Sequence, residues 1–238
     1  MSNESVIYLS DVRLSFPHLI EPQRQVNQTT GKERISYNAE FILPQSNPGL
    51  AEFMRVYGEL ALTKWGEHAN QVMQLIQQDR KLRCYGSGDE KVNKKTFLPY
   101  DGYQGQYYIT AGRDTPPQVI QADGTPVDPQ NTMAYQQLGR LMYGGCRVNA
   151  AIKPWLQDNT HGRGVRCDLV AVQYLKDDEA FGEGNVDASG MFGKVIDHGQ
   201  VVDSPTAPMP GAPFPGTPTG VPQAPVVPGL PPFMGGSQ

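Results

Sequence analysis

Residues 35–43 alternate in polarity: Ile35, Tyr37, Ala39, Phe41 and Leu43 fall on one side of an extended chain, and Ser36, Asn38 and Glu40 on the other. A side-chain period of two suits a half-buried strand and is incompatible with the 3.6-residue period of a helix, so this stretch commits the chain to a sheet with one apolar face. Residues 6–16 read the same way with a less clean apolar side, and Pro17 is expected to end that strand. The polar, turn-prone segment 21–34 separates the two. Further strands are expected at 81–85, 105–112, 145–155 and 164–175, with Gly86, Gly88, Gly102, Gly124, Gly144 and Gly162 marking turns.

Between the second and third strands the period changes. Asn47-Pro48 supplies an N-cap and a first-turn proline, and Leu50, Phe53, Met54, Tyr57 and Ala61 follow at helical spacing, with a second helical stretch at Ala69, Val72, Met73 and Ile76. One or two helices are therefore expected within residues 48–78. The order strand, strand, helix, several strands contains no βαβ unit with a phosphate loop, and no internal repeat is found. A mainly β fold with a helical insertion, built as a small Greek-key barrel, accounts for it.

The C-terminal composition is different. From residue 200 onward Asp203 is the one charged side chain, and proline and glycine recur up to Pro232 and Gly236, so no apolar period can be sustained. The expected organisation is a folded domain over 1–180, followed over 181–238 by an acidic segment and a disordered Pro/Gly-rich tail. Three widely spaced cysteines, Cys84, Cys146 and Cys167, support no disulfide framework, and no secretory leader precedes Val6, so a reducing cytoplasm is expected. No apolar stretch approaches the ~20 residues of a membrane helix.

A net charge of −4 argues, taken alone, against a nucleic-acid partner, but its distribution argues the other way. Over residues 80–113, Arg80, Lys81, Arg83, Lys91, Lys94, Lys95 and Arg113 outnumber Asp89, Glu90 and Asp101. Over residues 177–203, Asp177, Asp178, Glu179, Glu183, Asp187, Asp197 and Asp203 face only Lys194. The middle is basic and the segment before the tail acidic.

Enzymatic signatures do not emerge. His18, His68, His161 and His198 are scattered, no Cys-x-x-Cys or His-Glu-x-x-His spacing occurs, and 86–90 (Gly-Ser-Gly-Asp-Glu) matches neither a dinucleotide nor a triphosphate loop. Asp177-Asp178-Glu179 reads as a solvated, self-repelling run more readily than as a cation site. No catalytic residue, metal or cofactor is expected, and the chain is read as a binding protein.

Residues 83–113 carry the positive signal. Tyr85, Phe97, Tyr100, Tyr103, Tyr107 and Tyr108 are interleaved with Arg83, Lys91, Lys94, Lys95 and Arg113. Single-stranded nucleic acid calls for this mixture, because any base can stack on a ring while Lys and Arg follow the phosphates. For Tyr107, Tyr108 and Phe41, at strand positions, a place in the core is at least as good a reading. Tyr100 and Tyr103 flank Asp101-Gly102 in a turn-prone loop and are expected to be exposed. A second basic set includes Arg140, Arg147, Lys153, Arg163 and Arg166, with Tyr143 and Trp155. Arg147 and Lys153 share one face of a strand; lining a groove and standing on an ordinary outer face are equally good readings of it. The candidate DNA-binding residues are Arg83, Tyr85, Lys91, Lys94, Lys95, Phe97, Tyr100, Tyr103, Arg113, Arg147 and Lys153.

Four blocks carry a resemblance: 14–22 (LSFPHLIEP), 37–44 (YNAEFILP), 102–111 (GYQGQYYITA) and 143–150 (YGGCRVNA). Together and in order they resemble the bacteriophage single-stranded DNA-binding proteins first catalogued as a domain of unknown function. The resemblance implies an OB-fold-like five-stranded barrel, a role in phage DNA replication or recombination by coating exposed strands, and a place in the cytoplasm of the infected bacterial host. It does not identify contact residues. Other single-stranded DNA-binding proteins end in an acidic tip that recruits replication partners; here Pro231-Pro232-Phe233-Met234 has no acid beside it, and a docking tip and a solubilising extension remain equal readings. The acidic segment is expected to compete with DNA for the basic groove, so that removing 177–238 tightens binding at low salt. A strand-annealing recombination protein, a nuclease subunit and a virion or scaffold protein are the alternatives. Oligomeric state, footprint, partner enzymes and the choice between DNA and RNA are not encoded legibly.

Overall fold

The computed structural model describes residues 6–26, 31–94, 97–160 and 162–182, with the backbone alone at 194–196 and 200–202. The chain divides into two units, Met1–Asn185 and Val186–Gln238. In the second, β8 (Lys194–Ile196) and β9 (Gln200–Val202) form an antiparallel pair. The remainder of the expected tail lies outside the described residues.

The first unit is built on β1 (Ile7–Val26), β2 (Glu33–Leu43), β3 (Tyr85–Ser87), β4 (Tyr107–Arg113), β5 (Gln118–Ile120), β6 (Arg147–Asn159) and β7 (Gly162–Lys176). They form one sheet in the order β3-β4-β2-β1-β6-β7-β5, so the sheet has seven strands where five were expected. All pairings are antiparallel except β5 with β7, which is parallel. The sheet curls: β4 and β7 approach each other although no ladder joins them among the described residues.

The first strand does not end at Pro17. Instead β1 bends twice, where Asp11 (φ 49°) and Phe16 (φ 46°) take up left-handed backbone and the register slips, between Leu9 and Val12 against β6 and between Ser15 and His18 against β2. An extra residue in one strand bends it and increases the local twist. Pro17 is tolerated because it falls in the slipped stretch, where no ladder N–H is required. Past the bend, residues 23–26 of β1 pair with 33–36 of β2, so part of the segment read as a turn is a hairpin arm.

Alternation in β2 is as expected where the strand crosses the core. Ala39, Phe41 and Leu43 are buried, whereas Ile35, in the arm, is exposed. Phe41 is a core residue and Tyr107 packs against the core, whereas Tyr108 is buried in a second, small cluster with Ile42 and Tyr103. In β6, Val148, Ala150 and Ile152 are buried and Arg147, Asn149, Ala151 and Lys153 are half-buried, as the pattern required.

The helical insertion is α1 (Pro48–Trp65) and α2 (Ala69–Gln78). Asn47 Oδ1 accepts from the Gly49 N–H (2.8 Å), and Asn47 Nδ2 donates to the Ser10 carbonyl (3.1 Å), so the cap also fastens the helix start to β1. Phe53 and Tyr57 of α1 pack on Tyr85, with ring centroids 5.4 and 5.8 Å apart. Trp65 Nε1 donates to Asp158 Oδ2 at the end of β6 (2.8 Å). A further helix not anticipated from sequence, α3 (Thr132–Leu141), buries Tyr135 and Leu138, and a Cβ at Gly139 would stand 2.5 Å from Ile20 Cγ1. The close approach of α3 to β1 therefore requires glycine there. Residues 80–82 form a short 3₁₀ turn, so the expected strand at 81–85 begins at Tyr85.

Asn47→Ala removes the cap and the tie to Ser10 together. It is expected to lower the unfolding free energy in urea by ~1–2 kcal/mol without changing the m-value.

Candidate nucleic-acid interface

The segment 83–113 separates into residues that build the fold and residues that reach its surface. Arg83 is buried: Nη1 donates to the Tyr85 carbonyl (2.8 Å) and Nη2 to Glu90 Oε2 (2.7 Å). Tyr85 is a core ring whose hydroxyl donates to Gln77 Oε1 (2.9 Å). Lys91 Nζ donates to Glu40 Oε1 (2.5 Å) and lies 4.5 Å from the centre of the Tyr108 ring.

The exposure expected of Tyr103 is not found. It is 1% exposed, and its hydroxyl donates to Glu40 Oε2 (2.6 Å). Burial, and then the Glu40 charge, push the Tyr103 hydroxyl far above its ordinary range, so it stays a donor. The loop turns inward because Gly88 lies beneath it: a Cβ there would overlap the Tyr103 carbonyl. The Gly88 N–H donates to Gln106 O (2.7 Å) and the Gly105 N–H to Asp89 Oδ1 (2.8 Å). One carboxylate, Glu40, thus gathers Lys91 and Tyr103 on the face of β2 opposite the main core, where Tyr103 packs with Ile42 and Tyr108.

Other residues do reach the surface. Phe97 is 80% exposed at the tip of the hairpin 91–100, with Lys94 exposed beside it; Lys95 lies outside the described residues. Tyr100 is half-buried and meets Phe16 edge to face, centroids 5.3 Å apart. Arg113 is exposed at the end of β4. Arg147 is engaged: Nε donates to Asp178 Oδ2 (2.6 Å) and Nη1 to the Asp11 carbonyl (3.1 Å). Lys153 stands opposite Asp168 in the β6–β7 ladder.

These surface residues do not form one patch. Of the described residues predicted to bind DNA, Arg83 alone lines a polar groove of about 560 Å³ between the β2–β4 face and the β6–β7 hairpin. Ser36, Asn38 and Glu40 of β2 and Thr110 and Gly112 of β4 supply one wall, Trp155 and Arg166 the other, and Gln23, Gln25 and Arg34 of the hairpin arm one end. Trp155 is 40% exposed, and its Nε1 donates to Asp168 Oδ1 (2.7 Å), which fixes the ring. Arg166 is aimed by Gln157 Oε1 (3.0 Å) and the Lys81 carbonyl (3.0 Å). Asn38 Nδ2 donates to Gln23 Oε1 (3.2 Å), so amides line the arm. Cys84 and Cys167 lie at the base, where burial, and then the neighbouring Cys84, hold the Cys167 thiol well above its ordinary range and uncharged. Phe16 closes the far end. Two rings, Phe16 and Trp155, with amides and guanidinium groups alongside can stack flat π-systems, hydrogen-bond base edges and neutralise phosphates. Among the described residues no cluster of three or more His, Cys, Asp or Glu stands ready for a metal ion, and no helix is long and apolar enough to cross a membrane.

A family model described as "Enterobacter phage Enc34, ssDNA-binding protein" matches residues 5–202. The chain belongs to this family. Protein p50 of Acyrthosiphon pisum secondary endosymbiont phage 1 is 34% identical over 186 residues, 76% of this chain and 88% of that protein. Two solved structures share the fold. The single-stranded DNA-binding protein from bacteriophage Enc34 has a TM-score of 0.56 at 24% identity, covering 79% of this chain and 89% of that one. The same phage protein in complex with ssDNA gives 0.53 at 22% identity, covering 76% and 91%.

Against this family background, sequence reasoning missed Phe16, Arg34, Trp155 and Arg166 as groove residues. Trp155 and Arg166 had a signal, a basic set accompanied by an aromatic on a hairpin; Phe16 had none, since nothing in its neighbours announces a left-handed backbone.

After β7, residues 177–182 return across β1 and β6. Asp178 meets Arg147 and, at 3.7 Å, Arg13. Arg13 also donates to the Glu179 carbonyl and lies 4.3 Å over the Phe181 ring. Residues 177–182 of the acidic segment therefore cover Arg13 and Arg147; from 183 onward only the backbone of 194–196 and 200–202 is described.

Two outcomes follow from this geometry. Tyr103→Phe leaves Glu40 one donor short in a buried setting and is expected to cost ~1–3 kcal/mol of stability, read by chemical denaturation. The hydrogen bond from Arg147, first, holds the Asp178 carboxyl below its ordinary value of 3.8. Its contribution is complete above pH 3.8 and is lost as pH falls through the lower folded value. Protection of the Phe181 amide against hydrogen exchange, measured relative to its intrinsic rate at each pH, is expected to fall as pH drops through that window in the wild type, and to lose this pH step in Asp178→Asn.

Proposed function

We propose that this protein binds single-stranded DNA in the groove between the β2–β4 face and the β6–β7 hairpin, coating the strand without sequence preference. The observation that carries this reading is the pairing, within one concavity, of the fixed Trp155 ring with Arg34 and Arg166, in a chain belonging to a phage ssDNA-binding family. Rings reach bases only when these are unpaired, so the arrangement favours single strands over duplex. Phosphates are met by Arg34 and Arg166, with Lys94, Lys95, Arg113 and Lys153 as outlying cations. Phe97 offers a further ring at the hairpin tip. Arg83, Tyr85, Lys91 and Tyr103 act by holding the face in shape, and Arg147 by pinning residues 177–182.

The fold reading is an OB-fold-like Greek-key barrel over residues 1–180. Its support is strand order: β4-β2-β1-β6-β7 places the fourth long strand beside the first, with β7 curled back towards β4 and the short β3 and β5 as additions at the edges. In such barrels the faces of the second and third strands, with the first and last hairpin loops, take up oligonucleotides, and the groove lies between those elements here. The biological setting is phage DNA replication or recombination in the cytoplasm of an infected bacterium. The protein acts there without catalysis or cofactor, and replication or recombination proteins are candidate partners of the 181–238 segment.

Anisotropy titration of a labelled dT oligonucleotide against a matched duplex tests this. Tighter binding to the single strand is expected, with log K falling against log salt by about 0.7 per phosphate neutralised. Trp155→Ala is expected to weaken it by ~1–3 kcal/mol. Equal affinity for duplex, or binding unmoved by salt, would remove the reading.

A further inference from the structure

Phe16 borders two cavities. On one side it closes the polar groove, and on the other it lines a second pocket of about 620 Å³, walled by Pro17, Leu98, Pro99, Tyr100 and Phe181. That volume lies within the usual range for small-ligand sites, and the lining is mostly apolar and aromatic. The walls come from the bend of β1, the hairpin 91–100 with the Asp101 and Tyr103 loop that follows it, Gly144 before β6, and the returning segment 177–182.

Three independent features concern this residue. Its backbone is left-handed (φ 46°), a conformation an aromatic residue seldom adopts. Its ring is nonetheless 46% exposed, so full burial does not compensate for the strained backbone. Its edge-to-face contact with Tyr100 orients the ring between the two cavities. A strained backbone that presents an aromatic face at the meeting of two concavities is the kind of outlier from which a binding role is argued.

We propose that the second pocket receives one nucleobase of the strand lying in the groove, with Phe16 as the ridge over which the strand turns and Phe16 and Tyr100 as the rings that contact the base. The proposal rests on the groove being the DNA site. A base leaves the groove for the pocket only if it is unpaired, so the pocket adds to discrimination against duplex. The apolar lining accepts the π-face of any base and leaves its identity unread. The wall that holds the site shut on the third side is Phe181, kept in place by Arg13 and by its own N–H donating to the Gly144 carbonyl (2.8 Å).

The test combines photocrosslinking with affinity and melting. A dT oligonucleotide carrying 5-iodouracil is irradiated with the full-length protein, and the crosslinked peptides are identified by mass spectrometry. Crosslinks at Phe16 or Tyr100 are expected. Phe16→Gly is expected to weaken single-strand binding by about 5- to 100-fold while the Tm holds or rises, because glycine takes the left-handed conformation freely. Phe16→Leu, which keeps apolar bulk without the ring, is expected to lose affinity as well. Single-strand binding with crosslinks at Trp155 but none at Phe16 or Tyr100, and with wild-type affinity in both variants, would overturn the pocket and leave the groove standing. Failure of the wild-type protein to bind single strands would overturn both.

Discussion

The central strand has to bend. β1 pairs with β2 on one side and β6 on the other, so its course sets that of the sheet. A straight 20-residue strand would give a flat sheet with long edges; the two left-handed residues, Asp11 and Phe16, break it into segments that turn relative to each other. After the bend at Phe16, Leu19 still reaches the core, and residues 23–26 then pair with β2 as an arm. The same bend turns the Phe16 ring outward, so the residue at the bend also borders the groove.

The charge distribution follows a related logic. A chain of net charge −4 that holds a polyanion must keep its acids out of the site. Glu40, which borders the groove, is matched by Lys91 and Tyr103, and Glu90 by Arg83, so these acids do not present bare charge to the concavity. Three of the cations thought to contact DNA on sequence grounds, Arg83, Lys91 and Arg147, are instead paired with carboxylates inside the fold or on its surface. Removing one member of such a pair exposes its partner's charge, so substitutions at Lys91 or Arg83 act on stability before they act on binding.

Much of this fold was legible in the sequence. The alternation placed the correct faces inward over 39–43 and 147–153, because a half-buried strand has no other solution, whereas Ile35, in the arm, is exposed. Asn47-Pro48 announced α1 because capping is a local device. What could not be read depended on contacts distant in sequence. Pro17 ordinarily stops a strand, and only the register slip against β2 makes it permissible. Gly139 weakens the helical signal of α3, and its reason, Ile20 of β1, lies more than a hundred residues away. Tyr103 sits in a loop rich in turn residues and so reads as exposed; the glycine at position 88 that admits the loop to the interior is itself indistinguishable from a turn glycine. For the site, composition located the mixture of rings and cations but not its partition. Which tyrosines are core and which cations are already paired is decided by Glu40, Glu90 and Asp178, whose partners come from other elements.

The segment after β7 joins these threads. Residues 177–182 open the acidic segment, and in the fold they are anchored as structure. Asp178 neutralises Arg147 and approaches Arg13, and Phe181 fills the space that Gly102 leaves, since a Cβ there would overlap its ring. The cations of the β1–β6 surface are thereby withdrawn from the solvent side while Arg34 and Arg166, across the curl, border the groove. An acidic segment in this position does not need to enter the groove to influence it. By neutralising Arg13 and Arg147 away from the groove, while Glu90 pairs with Arg83 within it, the fold leaves Arg34 and Arg166 as the groove guanidinium groups with no carboxylate partner in the salt bridges among the described residues, which concentrates positive potential on that face.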